Sequence, residues 1–135
     1  MVTESLDTNV LLRLLLNDIP EQFDQVESLL TREGTRFLVV DVAVLELVHA
    51  LEHHYTLSRS AVADIITSLL EIDCLWINDP LFQRVVDLYL HKPQLSFTDC
   101  YLVEYAVSAN ATPLWTFDKD LARKHEHAQL VPRIG

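Results

Sequence analysis

Glycine is almost missing from this chain: of 135 residues only Gly34 and Gly135 are glycine. That scarcity excludes GxGxxG and GxxxxGK[ST] phosphate loops, and with them dinucleotide and P-loop nucleotide chemistry. Cysteine is equally rare. Cys74 and Cys100 are too few for a disulfide framework or a Cys-rich zinc site, so a reduced, cytoplasmic setting is expected. No apolar run reaches the ~18 residues of a membrane span. The first residues also lack a basic stretch followed by an apolar one, so no secretory signal is expected. Basic residues are scarce too: 10 Lys and Arg stand against 20 Asp and Glu, a net charge of −10. A nucleic-acid binder usually presents a basic face. The objection weakens if the excess carboxylates gather where divalent cations sit, because the ion inverts the local electrostatics. Four of the 10 basic residues, Lys119, Arg123, Lys124 and Arg133, crowd toward the C-terminal end as a candidate phosphate-binding patch.

What is present is apolar residues, 50% of the chain, enough for a packed core and against disorder. The length fits one domain, taken as residues 1–135. Short β-rich runs alternate with helical stretches, the signature of an α/β fold around a mainly parallel sheet. Strands are expected at 3–6, 36–40, 74–77, 113–117 and 129–131. Helices are expected at 8–17, 20–33, 42–55, 58–71, 79–91, 98–110 and 118–126. Pro20 and Gly34 give start and stop signals, Ser58 an N-cap, and Asp79 with Pro80 a cap and first helical position. The aromatic residues Phe37, Trp76, Trp115 and Phe117 fall on strands and are assigned to the core. Cys100 is read as a small buried hydrophobe.

Three aspartates, Asp7, Asp99 and Asp118, fall where a strand or loop gives way to a helix. Open α/β sheets bind ligands outside the carboxyl ends of their strands. Each could equally be a helix N-cap, a position aspartate favours. Asp99 lies at helical spacing with Val103, Ala106 and Val107, which turns it toward the apolar side. Glu46 sits in VAVLELV, where a buried carboxylate is costly unless paired or metal-bound; Arg13 or a hydrogen bond could satisfy it. Carboxylates converging on one crevice repel one another, and a hard cation such as Mg²⁺ relieves the repulsion. Such a site can activate water and neutralise charge on a phosphodiester.

The segments LDTNVLLRLL (6–15), VLELVHAL (44–51), LSFTDCYLVEYA (95–106) and LWTFDKDLAR (114–123) together resemble the PIN-domain family. Within it they are most similar to the VapC-type toxins of toxin–antitoxin pairs. The resemblance implies a three-layer α/β/α sandwich with a mainly parallel central sheet. It also implies a metal-dependent endoribonuclease using Mg²⁺ or Mn²⁺, with its acidic quartet on Asp7, Glu46, Asp99 and Asp118. Asp7 and Asp99 would be the principal metal ligands, and Glu46 and Asp118 would act directly or through water. Asn9 and Thr116 match supporting polar positions. Asp120 is a possible substitute for Asp118, or a solvated acid in a helix's first turn. A homodimer, a cognate antitoxin protein and an RNA substrate are implied as partners.

Two other readings compete. HALEH at 49–53 fits the H-x-x-E-H pattern of inverted zinc peptidases, with His49 and His53 as ligands and Glu52 between them. The second is a non-catalytic PIN-fold binding module. His125 and His127, near the C-terminus, are assigned no ligand role.

Overall fold

A computed structural model describes residues 1–135. Its elements run β1 (Val2–Ser5), α1 (Thr8–Leu16), α2 (Pro20–Leu30), β2 (Thr35–Leu38), α3 (Asp41–His53), α4 (Arg59–Leu70) and β3 (Leu75–Trp76). They continue with α5 (Asp79–His91), α6 (Phe97–Ser108), β4 (Leu114–Thr116), α7 (Lys119–Lys124) and β5 (Ala128–Leu130). Every expected strand and helix is present within a few residues of its expected ends, and every strand pair is parallel. The fold is α/β, as the alternation implied. The chain divides into two compact units, Met1–Asp79 and Pro80–Gly135.

In the first unit β1, β2 and β3 pair in that order. Parallel neighbours cannot be joined by a tight turn and need crossover connections; here the crossovers are the helix pairs α1–α2 and α3–α4. The register sets Phe37 beside Leu75 and Leu38 beside Trp76. Side chains alternate between the faces of a strand, so Phe37 is 1% exposed while Trp76 is 49% exposed. The core assignment of Trp76 is thereby corrected: its ring lies under the Arg36 guanidinium, 4.3 Å from the ring centroid. Helix α3 turns Val44, Leu47, Val48 and Leu51 inward and α4 turns Val62, Ile66 and Leu69 inward, each at helical spacing.

Local signals explain the helix ends. Asp7 caps α1 and Asn17 closes it in the left-handed region, a conformation asparagine tolerates. Ser58 caps α4 by accepting from the Ala61 amide, and Pro20 opens α2. Gly34 takes a φ of +72° in the turn before β2, which suits a residue without a Cβ. Asp79 opens α5, but its Oδ1 is buried without a hydrogen-bond partner, so the expected capping bond through that atom is not made.

In the second unit β4 pairs with β5 through the crossover α7. The interior is built from Phe82, Val85 and Tyr89 of α5 and Phe97, Cys100 and Val103 of α6. Phe82 stacks on Phe97 and Tyr101, and Tyr89 meets Phe97 edge-on. Cys100 is buried as expected. Trp115 and Phe117, also assigned to the core, are instead 53% and 82% exposed. In β4 the flanking Leu114 and Thr116 are the more buried residues, and alternation leaves Trp115 on the opposite face. Phe117 lies beyond the strand, in the turn before α7.

Candidate active site

In the first unit the sheet delivers Asp7 just past the carboxyl end of β1. Asp7 Oδ1 accepts from the Val10 amide at 3.1 Å. That bond uses one carboxylate oxygen and leaves the other outside the cap. The capping reading is therefore correct for Asp7, and it does not consume the group. The residue after it, Thr8, reaches from the start of α1 to α3. Its Oγ1 donates toward Glu46 Oε2 at 3.1 Å and also lies 3.3 Å from the Ala43 carbonyl. Thr8 thus ties Glu46 to the turn that carries Asp7. The sequence did not single out Thr8; its signal was a hydroxyl directly beside a strand-end aspartate.

The burial expected of Glu46 is not found: the residue is exposed. Helix α3 turns Ala43, Val44, Leu47 and Val48 inward, and the period of 3.6 leaves position 46 on the other face. Arg13 is not its partner either. Arg13 donates to Asp18 Oδ1 and to the Tyr55 hydroxyl, each at 3.0 Å. Asn9 stands exposed in the first turn of α1, two residues from Asp7. Asp41 and Asp79, at the starts of the helices that follow β2 and β3, fall at the same carboxyl end of this sheet.

In the second unit Asp99 is half-buried in the first turn of α6. It is not the cap: Ser96 Oγ accepts from the Asp99 amide at 3.0 Å, so the carboxylate is not needed for that role. It lies one turn before the buried Val103, as its spacing implied. Asp118 does cap, its Oδ1 accepting from the Asp120 and Leu121 amides at 2.9 and 3.1 Å. Thr116 Oγ1 accepts from the Asp118 amide at 2.9 Å and fixes the turn. Asp120 is exposed and binds Arg123 at 2.5 Å, the behaviour of a first-turn acid favoured by the helix dipole. Lys119 and Arg123 line a cavity of about 430 Å³ with Gln129 and Leu130, and Lys119 directly follows Asp118 in the chain. His125 has its pKa lowered, first by burial and then by His127, against the pull of Glu104 and Glu126. Its Nδ1 accepts from the His127 amide at 3.1 Å, a bond that needs the neutral ring.

In neither unit do three or more His, Cys, Asp or Glu side chains close into a group able to hold a metal. This bears differently on the two metal readings. Catalytic zinc takes three protein ligands. His49 and His53, exposed with ring centroids 4.5 Å apart, lack the third that the H-x-x-E-H reading requires. Mg²⁺ is held by one or two carboxylates, with waters and substrate phosphates completing its shell. Asp7 and Glu46, linked through Thr8, are hard oxygen donors of that kind and fit Mg²⁺ or Mn²⁺.

The profile of the PIN domain matches residues 5–126. A protein named VapC ribonuclease from Aquifex aeolicus (strain VF5) is 29% identical over 99 residues, covering 70% of this chain and 72% of its own length. The matched residues 5–126 span all four acidic segments, and the parallel strands with their crossover helices agree with the assignment. The chain belongs to the PIN-domain family of nucleases.

Proposed function

We infer that this protein is a Mg²⁺- or Mn²⁺-dependent endoribonuclease acting as the toxin of a toxin–antitoxin pair. The observation that carries the inference is the Thr8 bridge, which brings the Glu46 carboxylate to the Asp7 turn in a chain of this family. The similarity to a protein named VapC ribonuclease supports RNA as substrate and an antitoxin as partner. Asp7 and Glu46 of the first unit and Asp99 and Asp118 of the second are the four acidic residues proposed for the reaction, and residues 1–135 are proposed to work as a single domain. A bound divalent ion would offset charge on the scissile phosphate and make water a competent nucleophile at neutral pH.

The chain's own residues do the positioning. Asp7 and Asp118 are held by the amides they cap, so their carboxylates keep fixed directions. Thr8 orients Glu46, and Thr116 orients Asp118 through its backbone. Asp99, released from capping by Ser96, is free to serve as a ligand. Lys119 and Arg123, which line one cavity, are proposed to take an RNA phosphate. The protein is proposed to act as a cytoplasmic homodimer, and no helix is long and apolar enough to cross a membrane.

The nature of the ends tests the reaction. Purified protein with RNA and Mg²⁺ is expected to leave 5′-phosphate and 3′-hydroxyl ends, because attacking water needs no 2′-hydroxyl. Cyclic 2′,3′-phosphate ends would contradict the mechanism.

A further inference from the structure

We propose that the cavity between α1 and α2, beside Asp7, is the subsite for one unpaired nucleobase flanking the cleaved phosphodiester, with Gln22 and Gln25 reading that base. The proposal rests on the nuclease function above and adds where substrate sequence is sensed. The cavity measures about 290 Å³, just below the ~300–1,000 Å³ typical of ligand clefts. That is room for a single base and not for an RNA helix. Asp7, Asn9, Arg13, Gln22 and Gln25 supply its polar wall. Val10 and Val26 supply an apolar patch for the base's face.

Gln22 and Gln25 are three residues apart on α2 and share one side of it; both are exposed. A side-chain amide offers an acceptor and two donors, the set that pairs bidentately with a base edge presenting a donor beside an acceptor, as adenine does. Arg13 plays a different part. Its two terminal nitrogens are committed to Asp18 and Tyr55, and its side chain is only 15% exposed. Asp18 balances its charge and the two bonds fix its plane. It therefore suits stacking better than phosphate clamping. Splayed single-stranded bases are recognised in this way, by stacking on guanidinium planes and hydrogen bonding along an edge. Asp7 shares the wall, so the base would sit next to a residue assigned to the reaction.

The test is cleavage of a single-stranded RNA pool randomised around the cut, by wild type, Gln22→Ala and Gln25→Ala. Melting temperatures are measured alongside to keep folding out of the comparison. Wild type is expected to prefer one base at one position beside the cut. Each variant is expected to lose about tenfold of that preference, in the range for one bidentate pair. Metal-dependent cleavage with the same preference in all three proteins, or with no preference in wild type, overturns the subsite and leaves the nuclease reading intact. Variants that keep the preference but lose binding to the antitoxin would place a protein side chain in the cavity, and overturn it too. No metal-dependent cleavage by wild type overturns both.

Discussion

Replacing Thr8 by valine removes one hydroxyl and almost nothing else, since the two side chains have nearly the same shape. In the native chain that hydroxyl lies 3.1 Å from Glu46 Oε2 and 3.3 Å from the Ala43 carbonyl. It has a single hydrogen, so it donates to one of them at a time, and the nearer acceptor is the carboxylate. A hydrogen bond to a charged group contributes about 1.5–3 kcal/mol, but Glu46 is exposed, and water screening reduces this to about 1 kcal/mol. For a chain of this size that corresponds to a fall of roughly 3–5 °C in Tm.

The functional effect should be larger than the stability effect. Residues that orient a metal ligand typically contribute 10–100-fold to metal affinity or activity. Thr8→Val is therefore expected to raise the Mg²⁺ concentration for half-maximal RNA cleavage by about 10–100-fold. Thr8→Ser, which keeps the hydroxyl, should restore most of the loss. A purely structural threonine would lower Tm and leave the Mg²⁺ dependence alone. Wild-type Mg²⁺ dependence in Thr8→Val would refute the link between Thr8, Glu46 and the cation.

Three further outcomes are expected. Leu47→Ala, at a position 0% exposed on α3, should lower stability by about 2–5 kcal/mol in denaturant unfolding; a loss below about 1 kcal/mol would contradict the packing described. His125 has its pKa lowered by burial, so below the ordinary histidine value the unfolded chain binds the proton more readily. Stability should then fall as pH drops through about 6.5, and His125→Gln should flatten that slope; equal slopes in both proteins would contradict it. Arg13→Met, which strips Asp18 and Tyr55 of their partner, should cost about 1 kcal/mol, read as a lower Tm; an unchanged Tm would show that the bridge adds nothing.

The order of elements was legible because its signals are local. Pro20, Gly34 and Ser58 sit where caps and turns need them, and Leu47, Val62 and Phe82 recur at the spacing of a buried helical face. Which face of a short strand is buried was not legible. Trp76 and Trp115 are exposed because strand alternation is set by register, and a run of two or three residues does not display it. Glu46 was misjudged for a related reason. Its apolar neighbours in sequence point elsewhere on α3, and its partner Thr8 lies 38 positions away. Asp7 and Asp118 were legible as both caps and candidate ligands, because a carboxylate has an oxygen for each role. Asp99 could be separated from capping only when Ser96 was seen to hold its amide.

The most direct measurement is cleavage of one RNA by purified wild type and Asp99→Asn, each with Mg²⁺, with Mn²⁺ and with EDTA. The substitution keeps the side chain's size and removes the charge that would hold the cation. Wild type should cut with either metal and stop with EDTA. Asp99→Asn should not cut under any condition while keeping its Tm, since the Ser96 cap on the residue 99 amide is untouched. Full activity of Asp99→Asn, or wild-type cleavage untouched by EDTA, would contradict the carboxylate-and-metal mechanism.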